Sequence, residues 1–491
     1  RLDYPDPDVI RVEDTYYMVS TTMHFMPGCE ILQSFDLVHW EHVTYVYETL
    51  DHTDAQQLKS GQNIYGQGMW AASLRYHEGR FCICFVANDT RKTYLYTSEK
   101  IDGPWKKQLI EGFYHDGSLL FDEDGRSYIV YGNDEIWITE LNEDLTAPKK
   151  DGLHRLLVSD HKNPELGYEG SHIQKINGYY YIFLVHSLRD RWMRTEACFY
   201  SDSLEGEFTG GDVLCDDRGY CGQGVAQGGI VDTPDGKWYA MLFQDSGAVG
   251  RIPILLPVTW KDHFPFFGQN GHVPEEIEVH STRPGYIYQP LVGSDDFCNG
   301  LLPRWQFNHD PDPRYYHLDA LQGTYTITTR EVCTELTQAV NTLTQRMSYP
   351  SCAAEVTVDA SALKEGDVAG LCALQGCYAA VGITKHHGKY EVLMLDKKED
   401  GILDMTEGTV VESHQMDFRL EADFCNMKDE ARCYYRVNKG DWLPIGTVHK
   451  LYFKLDHFTG CRFGLFCYAA EETGGSACFR DFKYYDVDEI S

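Results

Sequence analysis

The sequence predicts an all-β protein, a five-bladed β-propeller followed by a C-terminal β-sandwich of jelly-roll-like type. Three observations predict it. Aromatic residues make up 13% of the chain, with 33 Tyr beside 44 Gly, a composition of strands and tight turns. A Gly or acidic turn followed by an aromatic-rich strand recurs five times in the first part of the chain. After about residue 290 that recurrence stops and a new series of short alternating strands begins.

The five recurring turns are Glu13-Asp-Thr-Tyr-Tyr-Met, Glu78-Gly-Arg-Phe-Cys-Ile, Asp124-Gly-Arg-Ser-Tyr-Ile, Asn177-Gly-Tyr-Tyr-Tyr-Ile and Asp235-Gly-Lys-Trp-Tyr-Ala. Each reads as a hairpin turn leading into a strand. With Tyr16, Phe81, Tyr128, Tyr179 and Trp238 as markers, the intervals are 65, 47, 51 and 59 residues. Several short strands in a unit of that size describe a propeller blade. A helical solenoid would need a 3.6-residue periodicity that these segments lack. A second element recurs after three of the strands, at Ser34 to Trp40, Ser98 to Trp105 and Ser201 to Phe208, with a weaker counterpart at Thr139 to Pro148.

Ten to twelve residues before the markers, where each innermost strand should begin, stand Asp6, Trp70, Asp116, Glu169 and Gln227. The equivalent ends of inner strands converge on one mouth of a propeller channel, so these five should meet. Inner strands are the most buried, and an acid is seldom placed there without a partner or a task. The plainer alternative, in a chain with 75 acids, is a set of unrelated solvated turns. Convergent carboxylates beside an aromatic platform suit metal binding by oxygen ligands or glycoside hydrolysis. Hydrolysis needs one carboxyl to give a proton and one to take a proton from water. A third negative charge raises the pKa of the group that must stay protonated.

The domain boundary is expected near Pro284, Gly285, Pro290 and Gly293, giving a propeller over 1–290 and a sandwich over 291–491 packed on it. Strands such as Gly323-Thr-Tyr-Thr-Ile-Thr-Thr and Cys352-Ala-Ala-Glu-Val-Thr-Val, closing on Ala477 to Tyr485, carry the sandwich pattern. Ten of the sixteen cysteines fall there, with no C-x-x-C pair, which favours reduced thiols used as core filler over disulfides.

Lys and Arg number 43 against 75 Asp and Glu, a net charge of −32. Nucleic acid and anionic membrane surfaces are therefore excluded as partners, whereas a neutral sugar is not. No apolar run reaches membrane length, and Arg1 to Pro7 lacks the apolar core of a leader. Arg1 is not a natural start, so a terminus upstream is expected. Reduced thiols favour a cytoplasmic protein over a secreted one.

Tyr4-Pro-Asp-Pro-Asp8, His115-Asp-Gly-Ser-Leu119 and Tyr168-Glu-Gly-Ser-His172 together resemble glycoside hydrolase family 43, most closely its β-xylosidases and α-L-arabinofuranosidases. Met23-His-Phe-Met-Pro-Gly28, Gly68 to Leu74, Gly224 to Gly236 and Val249-Gly-Arg-Ile-Pro253 extend the likeness through the first domain. Ser294-Asp-Asp-Phe297 and Trp305-Gln-Phe-Asn-His309 resemble the opening of the family's appended sandwich. The resemblance implies Asp6 as general base, Glu169 as general acid and Asp116 as the acid that tunes and orients Glu169. It also implies Arg251 on the non-reducing-end sugar, with Trp70 and Phe25 lining that pocket and Gln227 beside it. The family inverts the anomeric centre, so the Asp6 and Glu169 carboxyls are expected roughly 6.5–9.5 Å apart, not the roughly 5 Å of a retaining pair.

The family often has a channel His on the fifth repeat beside a calcium or water cluster. Here Gln227 holds that place, and His is absent from Asp216 to Asp245. No cofactor is required by this reading, and a structural calcium in the channel stays open. The expected partner is a xylo-oligosaccharide or an arabinoxylan-derived substrate. Three functions compete: an exo-acting hydrolase releasing xylose or arabinofuranose, an exo-xylanase on longer oligomers, and a sugar-binding propeller without activity.

Overall fold

A computed structural model describes residues 1–486. Five four-stranded antiparallel sheets follow one another in the first part of the chain, and the sequence-predicted propeller is their arrangement. Their inner strands are Asp8–Val12, Met69–His77, Ser118–Phe121, Glu169–Ile176 and Ala226–Asp232. Each packs on the inner strands of both neighbours, and Asp8–Val12 closes the ring against Ala226–Asp232. Arg11 fastens that closure, donating from Nε to the carbonyl of Asp232 at 3.1 Å.

The five marker aromatics all fall in second strands: Thr15–Val19, Arg80–Ala87, Ser127–Asn133, Tyr179–Ser187 and Trp238–Asp245. The turns before them have the backbone hairpins favour, with left-handed Glu78-Gly79 and Asn177-Gly178 pairs. The second recurring element links the third strand to the fourth, for example between Gly28–Ser34 and Glu41–Tyr47.

Every inner strand enters its blade through one irregularity. Trp70 and Ser73 oppose Val86 and Cys84, Glu169 and His172 oppose Val185 and Phe183, and Ala226 and Gly229 oppose Phe243 and Met241. Three steps on the inner strand thus match two on its partner, which is a β-bulge. Backbone bonds from Thr21 N to the Pro5 carbonyl and from Gly132 N to the His115 carbonyl mark the same entrance in blades one and three. The opening residues are Pro5, Trp70, His115, Glu169 and Ala226, and the next residue is left-handed each time: Asp6, Ala71, Asp116, Gly170 and Gln227, with φ of 51°, 31°, 48°, 66° and 64°. Four of these five are not glycine, so the conformation is held against a steric cost by the surrounding blade.

The second domain is a sandwich of a nine-stranded and a seven-stranded antiparallel sheet. A piece of the propeller, Phe25–Met26, is an edge strand of the larger sheet, paired with Gln306–Asn308. Ala248 and Val249 of the propeller sit in the same apolar core as Trp305, Phe307 and Phe482. Trp305 Nε1 donates to Asp295 Oδ2 at 2.8 Å and its ring stacks on Phe297, which explains why those residue types open the domain. All sixteen cysteines are free, and eleven are buried, in keeping with their reading as small hydrophobes. Among the described residues no helix is long and apolar enough to cross a membrane.

Candidate active site

The bulged entrances bring the acids together at one mouth of the channel. Asp6 follows Pro5 and is 4% exposed. Arg251 donates from a terminal nitrogen to Asp6 Oδ1 at 2.7 Å, and the Thr21 hydroxyl donates to Oδ2 at 2.5 Å. Arg251 is itself fixed by Asp245, at 3.1 Å from Nε, and Asp245 also takes Arg194 at 3.1 Å. The Asp6 carboxylate thus has its plane set by two donors and its orienting cation set by a second acid.

On the other side stand Asp116 and Glu169. The Gly170 N–H donates to Asp116 Oδ2 at 2.9 Å, tying Asp116 to the peptide that carries Glu169. Asn133 Nδ2 donates to Glu169 Oε2 at 3.1 Å. His115 Nε2 lies 3.5 Å from both Asp116 Oδ2 and Glu169 Oε2.

Charge sets the protonation of this trio. Burial pushes the Asp116 carboxyl up, the charges of Glu169 and Asp6 add to it, and the result is about 6 despite His115 and the Gly170 N–H. Burial also pushes Glu169 up, but His115, Arg194 and Arg251 outweigh it, leaving the carboxyl below its ordinary value. His115 would be lowered by burial, yet Asp116, Glu169 and Asp6 raise it to about 9. Sequence reasoning put the raised carboxyl on Glu169. Here burial and the charges of Glu169 and Asp6 raise Asp116, while His115, which faces both acids, acts together with Arg194 and Arg251 to hold Glu169 low.

Trp70 meets Phe458 edge to face at 5.1 Å and His115 at 6.4 Å. The Arg251 guanidinium lies 3.8 Å over the ring of Phe458, a residue of the sandwich domain. Phe458 therefore closes one wall of the mouth, next to Asp3, whose carboxylate accepts the N–H groups of Arg251 and Gly460 at 2.7 Å each. Phe25 is 2% exposed, and its ring contacts are His24 and the Arg462 guanidinium, 3.4 Å above it. Gln227 donates its backbone N–H to Glu196 at 2.7 Å, and its side chain packs where a Cβ on Gly170 would stand, at 2.6 Å.

The structure thus brings together Asp6, Asp116, Glu169, Trp70 and Arg251, sets Gln227 behind the acid and seats Phe25 at the domain interface. Sequence reasoning missed His115, Asn133, Thr21 and Phe458. The first stands inside a motif already singled out, and its signal is that it opens blade three as Glu169 opens blade four. Among the described residues His115, Asp116 and Glu169 are the one group of three metal-capable side chains with donor atoms within 4.8 Å. With His115 raised and Asp116 raised beside it, the trio is also suited to holding protons. A cleft of about 950 Å³ around His449 and Tyr452 of the sandwich is lined by none of these residues.

A family model described as glycosyl hydrolases family 43 matches residues 1–265, and one described as the beta xylosidase C-terminal concanavalin A-like domain matches residues 294–485. A beta-xylosidase of Formosa agariphila is 26% identical across 99% of this chain and 88% of its own. The solved structure of a bifunctional GH43-CE protein of Bacteroides eggerthii is 42% identical with a TM-score of 0.91 over 99% of this chain, which spans only 63% of that longer one. A GH43 glycoside hydrolase with an engineered active site, described as displaying endo-xylanase and exo-arabinofuranosidase activity, is 27% identical with a TM-score of 0.87, over 99% of this chain and 98% of that one. With its propeller, its three convergent acids and both domains matched, the chain is a glycosidase and belongs to glycosyl hydrolases family 43.

Proposed function

We propose that the protein is an exo-acting, inverting glycoside hydrolase that releases xylose, and also arabinofuranose, from the non-reducing ends of xylan-derived oligosaccharides. The observation that carries this reading is the convergence of Asp6, held by Arg251 and Thr21, with the Asp116–Glu169 pair, whose charges act on one another, at a mouth walled by Phe458. Asp6 takes a proton from a water on one face of the sugar. Glu169 gives a proton to the departing glycosidic oxygen on the other, and Asp116 orients it through the Gly170 peptide. Arg251, joined to Asp6 and stacked on Phe458, is placed to meet the terminal sugar's hydroxyls, with Trp70 as its platform. A wall contributed by the second domain favours chain ends over chain interiors. The beta-xylosidase and exo-arabinofuranosidase relatives support this substrate class.

A channel calcium is part of the same proposal in a minor role. Gln227 Oε1 and Glu196 Oε1 are buried oxygens without a hydrogen-bond partner, the donor type that calcium takes. They would hold the ion, and it would neutralise Glu196, whose carboxyl burial pushes well up. A fall in Tm on chelation tests this.

Rates on 4-nitrophenyl β-xyloside, 4-nitrophenyl α-arabinofuranoside and xylobiose, with the anomer of the first-formed sugar read by NMR, test the main reading. Inversion from β-xyloside releases α-xylose, and release of β-xylose would overturn the mechanism. Glu169→Ala should lose far more on xylobiose than on the nitrophenyl xyloside, whose phenolate leaves with little protonation. Equal losses would remove Glu169 from the acid's role.

A further inference from the structure

His115 occupies in blade three the place that Glu169 occupies in blade four and Trp70 in blade two. All three are opening residues of the bulge, so the same backbone geometry aims all three side chains at the mouth. Its Nε2 stands equidistant, at 3.5 Å, from Asp116 Oδ2 and Glu169 Oε2, and it has no hydrogen-bond partner of better geometry. The side chain as a whole is 21% exposed, while Nε2 itself is buried beside the two acids. The groups facing it are Asp116, Glu169, the charge of Asp6 and the edge of Trp70, while Arg194 and Arg251 act on Glu169 from the far side.

We propose that His115 is the positioning residue that supplies the acid's proton: its imidazolium hands the Nε2 proton to Glu169, which then protonates the leaving oxygen. The inference rests on the assignment of Glu169 as acid.

The step balances. The His115 Nε2–H bond breaks as the Glu169 Oε2–H bond forms, leaving neutral imidazole and a neutral acid. The Glu169 O–H bond then breaks as the leaving oxygen gains the proton and the glycosidic C–O bond breaks. Asp6 meanwhile takes one proton from the attacking water. After product release Asp6 returns a proton to solvent and His115 takes one up, so no oxidant, reductant or further reactant is needed. The need for such a donor is physical. Two guanidinium groups and an imidazolium keep Glu169 ionised in the open pocket, so the acid must be charged with a proton before it can act. Asp116, the other group holding a proton near neutrality, is oriented to the Gly170 peptide by the same Oδ2 that faces His115.

The test is the alkaline limb of kcat/KM against pH on xylobiose, in the full-length enzyme and in His115→Asn. If His115 supplies the proton, the wild-type limb follows the imidazolium near 9 and the variant's limb moves acidward by two units or more. If His115 is only a fixed cation that depresses Glu169, its removal frees Glu169 to hold its own proton and the limb moves alkaline, which overturns the proposal. At pH 8 the variant should lose roughly 10²-fold on xylobiose and less than about threefold on 4-nitrophenyl β-xyloside, the range expected for one proton-transfer group. The nitrophenyl rate also reports that the variant is folded, and His115→Gln serves if Asn does not fold. Independently, ¹⁵N NMR of the wild type should show a protonated imidazole at pH 7.5, and a neutral ring there overturns the proposal. Glu169→Ala keeps the two readings apart: a normal leaving-group signature with an alkaline shift in His115→Asn sinks the relay alone, whereas its absence sinks the acid assignment first.

Discussion

The histidine at the mouth and the three clustered at the domain interface are both largely desolvated, and the outcomes are opposite. At the mouth, His115 is raised to about 9. At the interface between propeller and sandwich, burial lowers His309 to about 3 with help from the charge of His457, burial and Arg462 lower His457 to about 4, and His24 is lowered with them. The His309 ring lies tilted at 4.8 Å from His24 and the His457 ring edge-on at 5.3 Å, with Tyr65 edge-on to His24 and His309. His309 Nε2 accepts the Ile64 N–H at 3.0 Å, which fixes a neutral tautomer. The comparison teaches that desolvation is common to both clusters and that neighbours decide the sign: three carboxylates face His115, whereas other imidazoles and Arg462 face His24.

The largest effect expected comes from removing one of the mouth's carboxylates. Asp116→Asn takes away the group that faces His115 and is tied to the Gly170 peptide. Activity on xylobiose should fall by roughly 10²–10⁴-fold, the range of a general-acid contribution. The imidazole of His115 should also titrate below its present value of about 9, since a raising charge is gone. An unchanged His115 titration in this variant would break the account of why the two clusters differ.

The interface cluster predicts a pH dependence of stability with a definite sign. His309 and His457 have folded pKa values below the unfolded 6.5, so below pH 6.5 the unfolded chain binds more protons and stability falls as pH falls toward 4. At pH 5 each costs about 2 kcal/mol relative to neutral pH. Asp3 and Asp116, raised to about 6 chiefly by burial, work in the opposite direction over the same window. Comparing His457→Leu with wild type cancels those acids. The variant should lose about 2 kcal/mol less on going from pH 7 to pH 5, read by denaturant unfolding. Equal slopes would mean that His457 is not neutral in the fold.

Much of this molecule is legible in its sequence, and the limits have physical causes. The marker aromatics locate the blades because each stands at or next to the start of a second strand, and Tyr16, Phe81 and Tyr128 are large rings buried there. The acids were found because inner strands start at a nearly constant offset. That offset blurs one residue, and it set Asp6, Asp116 and Gln227, which are left-handed, level with Trp70 and Glu169, which precede a left-handed residue. His115 was hidden by that blur. Phe458 was hidden by distance, since only the folded sandwich carries it to Trp70, nearly four hundred residues earlier in the chain. The proton balance was hidden because it depends on two 3.5 Å separations that no spacing rule encodes.

The smallest effect expected lies where the two clusters meet. His457 belongs to the neutral interface and its neighbour Phe458 to the pocket, so one loop serves both. Phe458→Leu removes a ring stacked on Arg251 and Trp70 but leaves every acid in place. A cation–π contact and an aromatic pair are each worth about 1 kcal/mol, so KM for xylobiose should rise roughly three- to tenfold with kcat nearly kept. A kcat loss as large as the KM rise in Phe458→Leu would show that the wall takes part in the chemical step, and the separation of pocket from interface would then have to be redrawn.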